Sequence, residues 1–134
     1  MGRHGTTECA FPLDDDWADM TQYVFERAGV GVLLAKRPAR GELEAFVRST
    51  LETVSRGMPG HKLISLEPTD QPTRGGFVLR HSFHGETPQL EIALFFPLGA
   101  DHWIFRVGGR PALAEACEMV FGSFLETFTV EESP

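Results

Sequence analysis

The nine residues LEIALFFPL, at positions 90–98, restrict the fold of this chain more than any other stretch. Read as a strand, they send Leu90, Ile92, Leu94 and Phe96 to one face and Ala93, Phe95 and Pro97 to the other, because successive side chains alternate. Both faces are therefore mostly apolar. One can rest on the core of a small domain. The other needs a cover of its own, which a binding partner, a dimer mate or the N-terminal segment would supply.

The surrounding sequence places this stretch in an antiparallel meander. Apolar runs at 77–83, 90–98 and 103–107 are separated by short turns carrying Gly85-Glu86-Thr87-Pro88 and Gly99-Ala100-Asp101. Upstream, residues 9–13, 21–26, 29–36 and 62–66 also read as strands, with 17–20 as a connector and 68–74 as a polar loop. Leu43, Phe46, Val47, Leu51 and Val54 recur at helical spacing, ending near Gly57. Leu113, Ala116, Cys117, Val120, Phe121, Phe124, Leu125 and Phe128 form a second, longer stripe. The predicted fold is α+β, a single domain over 1–134. A curved antiparallel sheet of about six or seven strands carries both main helices on one face.

Charge and cysteine usage narrow the partners. A net charge of −7 with no run of Lys or Arg argues against nucleic acid or an anionic membrane surface. Two cysteines, Cys9 and Cys117, do not make a disulfide framework, and Cys117 falls on an apolar helical stripe. The first residues, MGRHGTTECAF, lack the apolar core of a signal peptide, and no window approaches the ~18 apolar residues of a membrane span. A reduced, cytoplasmic chain without direct membrane anchoring is expected.

Signatures of chemistry are missing from the sequence. His81 and His84 are three apart, which on a strand sends them to opposite faces, and His84 and His102 would share a face without a third ligand. Surface or edge histidine is the plainer reading of each. Asp14-Asp15-Asp16 reads as a solvated turn, lacking the further oxygen ligands of a calcium loop. No nucleophile elbow, phosphate-binding loop, zinc-protease motif or dinucleotide fingerprint occurs. No metal, cofactor or catalytic residue is expected, and the chain is not read as an enzyme.

WADMTQYVF at 17–25, the apolar run ending in Lys36-Arg37, LEAFV at 43–47, FRV at 105–107 and FGSFLETF at 121–128 together resemble the DcrB-like family. The resemblance runs over nearly the whole chain and implies a Mog1/PsbP-like fold. Without a signal peptide or lipobox, it favours the cytoplasmic branch, the Eag chaperones of type VI secretion. Such proteins are homodimers that hold N-terminal transmembrane segments of PAAR-containing effectors in an apolar groove before export. The resemblance implies the same client here. A protein-binding module of the Mog1/PsbP type with a folded partner is an alternative, as is a small-ligand carrier.

Strand alternation then divides the sheet into two faces. Tyr23, Phe25, Val30, Val32, Leu34, Phe77, Leu79, Ile92, Leu94, Trp103 and Phe105 hold most of the aromatic bulk and are expected beneath the helices. The client groove would receive Gln22, Val24, Gly31, Leu33, Val78, Ala93, Phe95 and Ile104. A one-residue slip in any strand would exchange its faces.

Overall fold

The computed structural model describes residues 18–19 and 29–128. The expected strands at 9–13 and 21–26, Asp14-Asp15-Asp16 and the groove residues Gln22 and Val24 lie outside the described residues. In chain order the elements are β1 (Ala18–Asp19), β2 (Gly31–Pro38), α1 (Leu43–Gly57), β3 (Lys62–Thr69), β4 (Gly76–His84), β5 (Pro88–Leu98), β6 (Asp101–Gly109) and α2 (Ala114–Thr127). A 3-10 turn, Pro111–Leu113, leads into α2. The α+β class is as expected.

The strands form one antiparallel sheet in the order β1-β2-β6-β5-β4-β3, with β1 only two residues long. The 17–20 connector thus contains a short strand, too brief for alternation to reveal. β3 runs through Pro68 into what reads as a loop. It is the edge strand among the described residues, where a proline is tolerated because one side of the backbone has no strand beside it. At Gly76, an added Cβ would lie 2.7 Å from the Phe95 carbonyl oxygen, so β4 and β5 approach more closely there than a side chain allows. Gly76→Ala should lower the urea midpoint by an amount equivalent to about 1–3 kcal/mol, the usual cost of overpacking.

α1 forms where sequence periodicity places it, burying Leu43, Val47 and Val54. Its exposed side carries Glu44–Arg48 and Glu52–Arg56 pairs at i,i+4, at 3.0 and 2.9 Å. α2 buries Cys117 and Phe121, with Phe124 stacked on Phe105 at a ring separation of 3.9 Å. Phe128 meets Phe96 edge-on at 5.5 Å, extending the aromatic contacts beyond the helix end.

The two helices lie on opposite faces of the sheet. Val30, Val78, Ile92, Leu94, Phe96, Phe105 and Val107 pack with Cys117 and Phe121 of α2. Ala35, Leu79, Ala93, Phe95 and Ile104 pack with Leu43 and Val47 of α1. This corrects the expectation of both helices on one face, and it accounts for LEIALFFPL. Glu91 through Phe96 are all buried because each face of β5 has its own helix. The architecture has three layers, helix on sheet on helix.

Candidate functional site

Strand register decides where the expected groove residues fall. Leu33 faces Arg106, Ala35 faces Ile104, Ala93 faces Arg106 and Phe95 faces Ile104. Leu33, Ala93, Phe95 and Ile104 therefore share one face, as expected, along with half-buried Gly31. That face is closed. Ala93, Phe95 and Ile104 are fully buried and Leu33 nearly so, with Phe46 of α1 edge-on against Phe95 at 5.9 Å. Val78 does not belong with them. Because Phe77 pairs with Phe95 and Leu79 with Ala93, Val78 faces Leu94 on the α2 side, where it is buried. The expected parity of β4 was shifted by one residue, which exchanges the faces of Phe77, Val78 and Leu79.

Among the described residues, an apolar hollow lies on the α2 side instead. Its volume is about 430 Å³, and Val32 of β2 and Phe105 of β6 floor it. Its helical wall presents Met119, Val120 and Phe124, with Ser123 and Thr127 adding polar groups. Met119, at its mouth, is 72% exposed. Val32 and Phe105 are packed in the core as expected, Phe105 at 3% exposure, and their outer edges floor this hollow where α2 crosses β5 and β6.

A buried polar chain crosses the α1 side of the sheet. Arg106 Nε donates to Glu91 Oε2 at 3.0 Å, and Glu91 Oε1 lies 2.9 Å from His81 Nε2. His81 Nδ1 in turn lies 3.0 Å from Nε2 of His61, just before β3. A carboxylate can only accept, so His81 donates through Nε2, and a neutral His81 then accepts from His61. Burial favours the protonated Glu91, but the Arg106 charge and the His81 hydrogen bond outweigh it and hold the carboxyl below its ordinary range. Burial, helped by His81, pushes His61 below the usual histidine value.

Three histidine expectations need correction. His81 and His102 are buried, at 0% and 4% exposure, rather than on the surface. His84 is exposed and lies opposite His81, as expected, but His102 pairs with Arg37 and Pro97 on the face away from His84. His102 Nδ1 finds no hydrogen-bond partner among the described residues, and burial followed by the Arg37 charge lowers its affinity for a proton. The signal for the polar chain lay across strands. His81 faces Glu91 directly, and Arg106 pairs with Ala93, two residues along β5. Among the described residues no group of three or more His, Cys, Asp or Glu is placed to hold a metal ion. His81 already uses both ring nitrogens, so the chain can hold or pass a proton between His61 and Glu91.

These shifts fix the sign of the pH response. His61 and His102 bind protons more weakly folded than unfolded, so the unfolded chain gains protons first as pH falls. Their contribution is full above about pH 6.5 and is lost progressively below it. Glu91 and Glu118, both lowered, contribute fully above about pH 4.5 and lose that contribution as pH falls through their folded values. The urea midpoint should therefore drop between about pH 7.5 and about pH 5.5, where His61 and His102 rather than Glu91 and Glu118 set the slope. A midpoint constant across that interval would contradict the burial of these histidines.

No protein-family model matches the sequence, and no curated protein matches it. Among solved structures, PA94 from Pseudomonas aeruginosa superposes with a TM-score of 0.70 over 90% of this chain and 87% of its own, at 13% identity. The fold is shared. PA94 is described as a protein of unknown function and a candidate regulator, so the likeness carries the architecture alone. LpqN of Mycobacterium tuberculosis, described as involved in cell envelope biogenesis, aligns with a TM-score of 0.48 at 13% identity over 87% of this chain and 79% of its own. Among the described residues, no helix is long and apolar enough to cross a membrane.

Proposed function

We propose that this chain is a cytoplasmic chaperone of the Eag type that shields the N-terminal transmembrane segments of a PAAR-containing type VI secretion effector. The observation that carries this reading is the apolar hollow beside α2, rimmed by Ser123 and Thr127. Apolar surface of this kind gains free energy when it replaces water around another apolar surface. Small polar side chains at the rim suit a membrane helix, which associates through close packing and side-chain hydrogen bonds. The resemblance of WADMTQYVF, LEAFV and FGSFLETF to DcrB-like proteins supports the same assignment.

A transmembrane helix of about 20 residues extends for about 30 Å, more than one hollow of this size can cover. A homodimer supplies two such surfaces, and isologous dimers are the commonest assembly. Light scattering at micromolar concentration should give twice the mass of one chain; a monomer alone would remove this part of the proposal.

Met119 and Ser123 are exposed, so changes there leave the core intact. Met119→Asp and Ser123→Glu should keep native circular dichroism yet weaken capture of the effector's N-terminal fragment by tenfold or more. Each would place an unpaired charge against apolar surface. Capture at wild-type strength by both variants would remove the hollow as the client site.

A further inference from the structure

We infer that His61 and His81 form a one-proton clasp that fastens the turn between α1 and β3 to β4, and that it opens when both rings carry charge. The clasp is independent of the chaperone reading. It rests first on geometry. His61 Nε2 and His81 Nδ1 are 3.0 Å apart with no atom between them, room for one hydrogen. With both rings neutral, that hydrogen is on His61. One added proton on the outer nitrogen of His61 leaves the bond in place. A second, on His81 Nδ1, sets two N–H groups against each other, and the pair must part.

The surroundings set the same limit. On β5, Glu91 balances Arg106 of β6, so this core pair has little charge left to neutralise two imidazolium rings. Lys62 is the next residue after His61 and adds positive charge; Arg56, in the last turn of α1, is exposed and paired with Glu52. His84 of β4, another titratable group, lies beside Gly60, whose Cβ would come 3.2 Å from that of His84. Gly60 itself has φ +63°, so the turn that delivers His61 needs glycine for conformation as well as space.

The clasp closes a weakly held corner. The same turn is tied to β4 by the His84 amide donating to the Pro59 carbonyl at 2.8 Å, and internally by the His61 amide to Met58 at 3.3 Å. Beyond it, β3 is an edge strand with Leu63 and Ile64 about half exposed and a register shift between Leu63 and Ser65. Few buried contacts and an edge with no strand beside it among the described residues are the properties of a segment that opens locally before the rest.

Amide hydrogen exchange tests this, with rates corrected for the intrinsic effect of pH. In the wild-type chain, protection of the His84 amide should fall from about pH 7.5 to about pH 5 by at least tenfold more than that of β5 amides, which follow only the change in global stability. In His61→Gln the fall should disappear, because a glutamine amide can turn to donate to His81 or accept from it. His84→Gln should behave as wild type. Constant protection in the wild type, an equal fall in His61→Gln, loss of the fall in His84→Gln, or a loss throughout β5 as large as that at His84 would each overturn the clasp.

Discussion

Phe95→Asp is expected to leave no folded protein. Phe95 is fully buried between Phe77 and Ile104 on neighbouring strands, with Phe46 of α1 above it. Truncating such a residue costs about 3–5 kcal/mol in lost transfer energy and cavity formation. An unpaired carboxylate adds several kcal/mol more. Total stability for a domain of this size is about 5–15 kcal/mol, so the sum removes most or all of it. Circular dichroism should show an unfolded chain, and Leu94→Asp, on the opposite face, should do the same. A native spectrum for Phe95→Asp would mean that α1 does not cover this face.

The next largest effect is expected at Glu91. Glu91→Ala strips Arg106 and His81 of their shared acceptor while both stay buried. Removing one partner of a buried pair costs about 3–5 kcal/mol, mostly because the remaining charge stays out of water. Glu91→Gln keeps an acceptor of the same shape and should cost less than Glu91→Ala. The double change Glu91→Leu, Arg106→Met should recover part of the loss, since apolar residues of similar volume often replace buried ion pairs at little cost. Urea unfolding that ranks Glu91→Ala no lower than Glu91→Gln would contradict the polar chain.

Much of the fold was legible because it depends on local pattern. The eight-position stripe of α2 and the shorter one of α1 each mark a helix, and the two-sided apolar character of LEIALFFPL correctly demanded two covers. What the pattern does not carry is the side of the sheet to which each helix goes. An amphipathic stripe states that a face is buried, not against what. Val78 shows the same limit on a smaller scale. Its strand divides into Phe77, Leu79, His81 and Phe83 against Val78, Arg80 and Ser82, but the division does not say which set joins Ile92 and Leu94. Only the β4–β5 pairing of Phe77 with Phe95 places Val78 beside them.

The polar chain was illegible for a related reason. His81, Glu91 and Arg106 each resemble a surface residue when taken singly, and 10 and 15 residues separate Glu91 from its two partners. Cross-strand register brings them together in the interior. The hollow was hidden too, because Val32 and Phe105 read as core residues, and they do pack in the core. The position of α2 over β5 and β6 is what forms a hollow against their outer edges.

The central claim is that apolar clients meet the α2 side, not the α1 side. Backbone amide shifts of the isotopically labelled chain, recorded while a lysine-flanked helix of about 20 Leu and Ala residues is added, test it directly. The account predicts the largest changes at Val32, Phe105 and the α2 residues Met119, Val120, Ser123 and Thr127. Changes confined to α1 and β3, or none at any concentration that keeps the peptide soluble, would contradict it.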